Sequence, residues 1–122
     1  MNHFTVLARN LDETRSFYVE VLGLVEGPRP PLGFPGAWLY VDDRPVLHVV
    51  AGRELPREAR GVLDHMAFSA TNLGDVTRRL RAASVPFDLR RQPESRVWQL
   101  FFFDPNGARV EIDFDKDENY PE

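Results

Sequence analysis

The sequence predicts an α+β fold of two tandem modules, each running strand–helix–strand–strand–strand. Three observations carry this. The chain repeats itself: "HFTVLARNLDETRSF" aligns with "HMAFSATNLGDVTRRL", so that His3, Asn10 and Leu11 match His65, Asn72 and Leu73 at a constant offset of 62 residues. In each copy, a period-two segment gives way to one of helical period. Each copy also ends in a pair of apolar runs joined by a turn, "DDR" in the first and "DPNG" in the second.

The elements follow in order. "HFTVLAR" (3–9) alternates as a strand does, with His3, Thr5 and Leu7 on one face. "NLDETRSFYVEVLG" follows as a helix. Asn10 or Asp12 can cap it, Thr14, Phe17, Tyr18, Val21 and Leu22 form its apolar stripe, and Gly23 stops it. "GPRPPLGFPG" (27–36) is too rich in proline and glycine for a helix or a central strand, and reads as a semi-rigid loop or weak edge. "AWLYV" and "PVLHVV" are the next two strands. "LDHMAFSA" (63–70) opens the second copy. Its helix, "TNLGDVTRRLRAASV", carries Leu73, Val76, Leu80 and Ala83 inward and ends before Pro86. "VWQLFFF" and "ARVEIDF" close the copy as a hairpin across Asn106-Gly107. The chain is therefore expected to be one domain over 1–122: a first module at about 1–52, a connector at about 53–61, a second module at about 62–114, and an acidic tail at 115–122 that frays.

Composition limits the function. The 122 residues are 43% apolar and 28% charged, ordinary for a globular chain able to bury a core unaided. There is no cysteine, which removes disulfides, thiolate metal sites and cysteine nucleophiles. A net charge of −4 argues against nucleic acid or an acidic membrane as partner. No apolar run approaches a membrane span, and no signal-peptide pattern opens the chain, so the expected compartment is the cytoplasm.

The repeat singles out four residues. With one residue inserted, "YVDDRPVLHVV" overlays "FFDPNGARVEI", and His48 falls on Glu111. Each module then has one ligand-type residue on its first strand (His3, His65) and one on its last (His48, Glu111). Alternation puts Arg109, Glu111 and Asp113 on one face, and Val110, Ile112 and Phe114 on the other. If the modules pack with pseudo-twofold symmetry, all four residues can converge on one point. Two imidazoles and a carboxylate suit Fe(II), Ni(II), Co(II), Mn(II) or Zn(II) better than Ca or Mg. Read singly, each residue is as well explained by an exposed or hydrogen-bonded position on a strand.

At "HFTVLARNLDETRSFYVEVLGL", "LDHMAFSATNL" and "LFFFDPNGARVEI" the chain resembles the vicinal oxygen chelate superfamily, which includes glyoxalase I, extradiol dioxygenases, methylmalonyl-CoA epimerase, fosfomycin-resistance enzymes and bleomycin-resistance proteins. The resemblance spans residues 3–114. It implies paired βαβββ modules whose eight strands form a cupped mixed sheet with the helices outside. It also implies that His3, His65 and Glu111 match three recurrent metal ligands, while His48 matches a fourth position that varies. His48 is then either a ligand or an acid–base group beside the metal. The expected function is a divalent-metal-dependent small-molecule enzyme, with the substrate chelated through neighbouring oxygens. Glyoxalase- or isomerase-like chemistry is favoured, with Glu111 and His48 as proton-handling groups. An Fe(II) extradiol dioxygenase is the alternative, weakened because Phe101 stands where those enzymes have tyrosine. A metal-free drug-binding protein is the second alternative. Relatives of this size imply a homodimer.

Softer features are Trp38, Tyr40, Trp98, Phe101 and Phe103 as a pocket lining or filled core, and the 27–36 loop as a cover. Arg90, Arg91 and Arg96 could recognise an anionic group or simply be solvated.

Overall fold

The computed structural model describes residues 1–120. Ten elements follow the order the repeat demands: β1 (Phe4–Ala8), α1 (Leu11–Glu20), β2 (Val25–Gly27), β3 (Gly36–Val41), β4 (Arg44–Ala51), then β5 (Met66–Ser69), α2 (Leu73–Ala82), β6 (Phe87–Arg91), β7 (Trp98–Phe103) and β8 (Arg109–Phe114). Each module forms its own four-stranded mixed sheet, in the orders β1-β4-β3-β2 and β5-β8-β7-β6. The eight strands are thus two sheets related by the repeat. In each, the first strand lies parallel to the last, and the remaining pairs are antiparallel.

The register confirms the inserted residue. Thr5 stands beside His48 in the first sheet, and Ala67 beside Glu111 in the second. Thr5 and Ala67 are 62 apart in the alignment, so His48 and Glu111 are equivalent positions.

Asn10 and Asn72 are equivalent for a structural reason. Each is a helix N-cap whose side chain accepts from the backbone three residues on, Glu13 N at 2.9 Å and Asp75 N at 3.3 Å. The leucine after each cap begins the buried stripe, and Leu73 is wholly buried. Thr77 joins Leu73, Val76 and Leu80 inside. Ala83, expected inside, is the exposed C-cap residue. Alternation packs Leu47, Val49 and Ala51 of β4, and Val110, Ile112 and Phe114 of β8, into one core with Phe17, Tyr18 and Leu80. Burial of such side chains contributes about 1.5–3 kcal/mol each.

Two strands were illegible as such. β2 has only three residues and forms by pairing with β3. β6 carries Asp88, Arg90 and Arg91 on a sheet edge, where charge is normal.

The "DPNG" turn does more than reverse the chain. Tyr18 Oη of α1 donates to Asp104 Oδ2 at 2.7 Å, and Asp104 Oδ1 accepts from Asn106 N and Ala108 N, each at 2.8 Å. Asn106 accepts from Arg9 N at 2.9 Å and donates to Thr14 Oγ1 at 2.9 Å. The second module's turn therefore clasps the first module's helix.

The tail, expected to fray, is docked as far as Tyr120. Glu118 accepts from Asn72 N (2.9 Å) and Leu73 N (2.7 Å), placing a carboxylate over the positive end of α2, and Trp98 Nε1 donates to Glu118 O at 2.9 Å. Residues 121 and 122 of the predicted tail lie outside the described residues. No helix among the described residues is long and apolar enough to cross a membrane.

Candidate metal-binding site

With the helices covering one face of each sheet, the opposite face carries the polar residues. In the second sheet this face holds Ala67, Glu111, Phe101 and Asp88 in one row. Phe101 therefore shares the glutamate's face, while Phe102 pairs with Val110 on the core side. His65, one residue before β5, brings Nε2 to 3.1 Å from Glu111 Oε1. Its Nδ1 lies 2.7 Å from Asp64 Oδ2. The His65 hydrogen bond, then that of Arg60, lowers the Asp64 carboxyl to about 2, so Asp64 is ionised and can only accept. His65 therefore donates from Nδ1 to Asp64, and its Nε2 faces the Glu111 oxygen.

The pair stands at hydrogen-bond distance, an imidazole nitrogen facing a carboxylate oxygen. An imidazole nitrogen and a carboxylate oxygen are also the donor types that a divalent transition metal takes. A carboxylate behind the histidine is the usual support for such a ligand. His65 and Glu111 thus fit a metal. Glu111 is buried, and Asp113 beside it is raised to about 6 by burial, then by the hydrogen bond and charge of Glu111.

The first sheet holds the other pair. Trp38 and His48 are register partners, and their rings stack at 4.1 Å and 11°. His3 stacks on the other side of His48, at 3.8 Å and 13°. His48 Nε2 is buried, with no hydrogen-bond partner among the described residues. Burial, then the His3 charge, lowers the His48 pKa, with Arg29 of the 27–36 loop adding to the effect. That loop is braced by Arg29 Nη2 donating to Phe34 O at 2.8 Å.

The four residues therefore occupy two sites, His3 with His48 and His65 with Glu111, on separate sheets. Among the described residues no group of three or more His, Asp or Glu lies close enough to hold a metal, so the expected convergence of all four does not occur within one chain. The reason is the topology: each pair belongs to its own sheet. A cleft of about 560 Å³ opens between β1, the connector and the start of β8, with Thr5, His65 and Arg109 in its wall.

Of the arginines singled out by sequence, Arg91 donates to Arg96 O and Lys116 O and covers Trp98, which is structural. Arg90 lies over Phe101 at 4.7 Å, and Arg109 over the same ring at 4.3 Å. Sequence reading missed Asp64 and Arg109. Their signal was position alone: Asp64 precedes the repeat histidine, and Arg109 shares the face of Glu111.

Comparison with known proteins agrees with this architecture. Residues 1–112 match the Glyoxalase/Bleomycin resistance protein/Dioxygenase superfamily, and the chain belongs to it. It is 33% identical over 120 residues to Glyoxylase I 4 of Arabidopsis thaliana, a match covering 92% of this chain and 68% of that protein. Its fold is similar to the glyoxylase/bleomycin resistance protein/dioxygenase domain from Frankia sp. (TM-score 0.74, 25% identity, 94% and 96% of the two chains). It is also similar to a Glu-to-Gln mutant of the fosfomycin resistance protein FosX of Listeria monocytogenes in a complex with Mn(II) and a dihydroxypropylphosphonic acid (TM-score 0.77, 16% identity, 94% and 91%).

Proposed function

We propose that this protein is a divalent-metal-dependent enzyme acting on a small molecule that offers two neighbouring oxygens, with glyoxalase- or isomerase-like proton transfer as its chemistry. The observation that carries this is the His65 Nε2–Glu111 Oε1 pair at 3.1 Å, with Asp64 fixing the other nitrogen of His65. His3, His65 and Glu111 are the proposed ligands. The metal would be one of Fe(II), Ni(II), Co(II), Mn(II) or Zn(II), since the donors mix imidazole and carboxylate. When bound, it would supply Lewis acidity to the substrate oxygens.

Because each sheet holds only one pair, the reading includes a homodimer in which His3 of one copy completes the His65–Glu111 site of another. Glu111 and His48 are the groups available to move a proton, and Phe101, with Arg90 and Arg109, borders the substrate. The resemblance to Glyoxylase I 4 supports lyase or isomerase chemistry. Phenylalanine at 101 offers no hydroxyl to a ring-cleavage reaction, which disfavours the dioxygenase alternative. A cytoplasmic setting belongs to the same reading.

The test is metal content after gentle purification, with mass by sedimentation. About one metal per chain in a dimer is expected, and activity should return on an α-ketoaldehyde–thiol adduct rather than as oxygen uptake with catechols. A chain that binds no divalent metal at micromolar concentration would refute the reading.

A further inference from the structure

The cleft between β1, the connector and the start of β8 is charged opposite to the chain as a whole. The protein carries a net charge of −4. The cleft is lined by Arg9, Arg57, Arg60 and Arg109 against two carboxylates, Glu58 and Asp64. Asp64 is shared: Arg60 Nη2 donates to its Oδ1 at 2.9 Å, and Arg109 Nη1 donates to its Oδ2 at 3.1 Å. A guanidinium has five N–H donors, so each of these arginines keeps most of its donors for another acceptor. Arg9 and Arg57 make no ion pair among the described residues. A concave wall of one charge concentrates small ions of the other. Leu55 and Leu63 of the connector and Met66 of β5 supply apolar lining. The connector rests on the turn before β8, since a Cβ at Gly107 would stand 2.7 Å from Ala59 Cβ. The cleft volume of about 560 Å³ lies within the range of about 300–1,000 Å³ usual for small-molecule pockets.

We propose that this cleft binds a small organic anion. Its acidic group, a carboxylate or phosphonate, lies among the four guanidinium groups, which suit such oxyanions. Its apolar body lies against the connector. His65 stands in the same wall, so a ligand held there reaches the histidine that faces Glu111. Calling this anion the substrate rests on the functional reading above, whereas its binding needs no metal.

Amide chemical shifts of the full chain in EDTA, titrated with phenylphosphonate and separately with benzyl alcohol, test the proposal. Phenylphosphonate should shift the amides of residues 4–9, 55–65 and 106–109 and saturate. Benzyl alcohol, a similar apolar body without the charge, should bind at least about tenfold more weakly, the scale of one charge-assisted contact. Arg9 and Arg57 are exposed, so Arg9→Gln and Arg57→Gln should fold as wild type does. Each should weaken phenylphosphonate by about fivefold or more, while Arg44→Gln, the same charge change outside the cleft, should bind as wild type does. Saturation at other residues, equal affinity for the two probes, or equal losses in all three variants would overturn the proposal. Failure to take up a divalent metal would refute the functional reading and leave this result standing.

Discussion

Tyr18→Phe removes one oxygen from the clasp between the modules. The Tyr18 side chain is wholly buried and Asp104 is 5% exposed. The lost bond is a hydroxyl donating to a carboxylate oxygen at 2.7 Å, and Asp104 Oδ2 has no second donor among the described residues, since Asn106 N and Ala108 N both go to Oδ1. A hydrogen bond to a charged group contributes about 1.5–3 kcal/mol, and a buried oxygen left unpaired puts the variant in the middle of that range, at about 2 kcal/mol. With a urea m value of about 1.5 kcal/mol/M, the midpoint should fall by about 1.3 M. The same contact sets a pH dependence. Burial, then the charge and hydrogen bond of Asp104, raises the Tyr18 pKa well above its ordinary value. The unfolded chain ionises this tyrosine near pH 10 and the folded chain resists. The stabilisation is therefore complete below about pH 10 and declines as pH rises, by about 1.4 kcal/mol per unit. Wild type and Tyr18→Phe should converge by about pH 11.5 in urea melts followed by circular dichroism. A variant midpoint within about 0.3 M of wild type, or a gap that persists to high pH, would refute the reasoning.

Other expectations concern separate contacts. Glu118→Ala uncovers the first amides of α2 and should lower stability by about 1 kcal/mol, with faster hydrogen exchange confined to the first turn of that helix. Asn106→Ala and Thr14→Ala should couple by about 0.5–1 kcal/mol in a double-mutant cycle of urea midpoints, because their side chains bond across the modules. Asp64→Asn should weaken metal binding by about 10- to 100-fold in competition titrations, with unfolding in the absence of metal little changed. Gly36→Ala should destabilise by about 2 kcal/mol or more in thermal melts, since a Cβ there would stand 2.4 Å from Val49 O on the neighbouring strand.

What the sequence showed depended on how local the cause was. The helices were legible because cap, stripe and stop lie within a few residues of one another. The equivalence of His48 and Glu111 was legible because a repeat carries tertiary information in one dimension, and the strand register bears it out. β2 and β6 are made by pairing partners, and their own residues carry little alternation. Glu118 over α2, and Asp104 against Tyr18, join groups 45 and 86 residues apart, and no pattern in the chain marks them. In the candidate site, alternation placed Glu111, Arg109 and Asp113 on one face correctly. It could not show that each module would form its own sheet, which is why four residues expected at one point stand in two pairs.

The parallel pairing of the first and last strands has a consequence for assembly. Phe4 lies beside Leu47, and Met66 beside Val110, so each pair of ligand-type residues joins the two ends of its module. Neither pair exists until the final strand has been laid against the first. Closing such long loops is slow and is rewarded late in folding. Each of the two pairs therefore depends on the longest-range strand pairing within its module, and not on any hairpin alone.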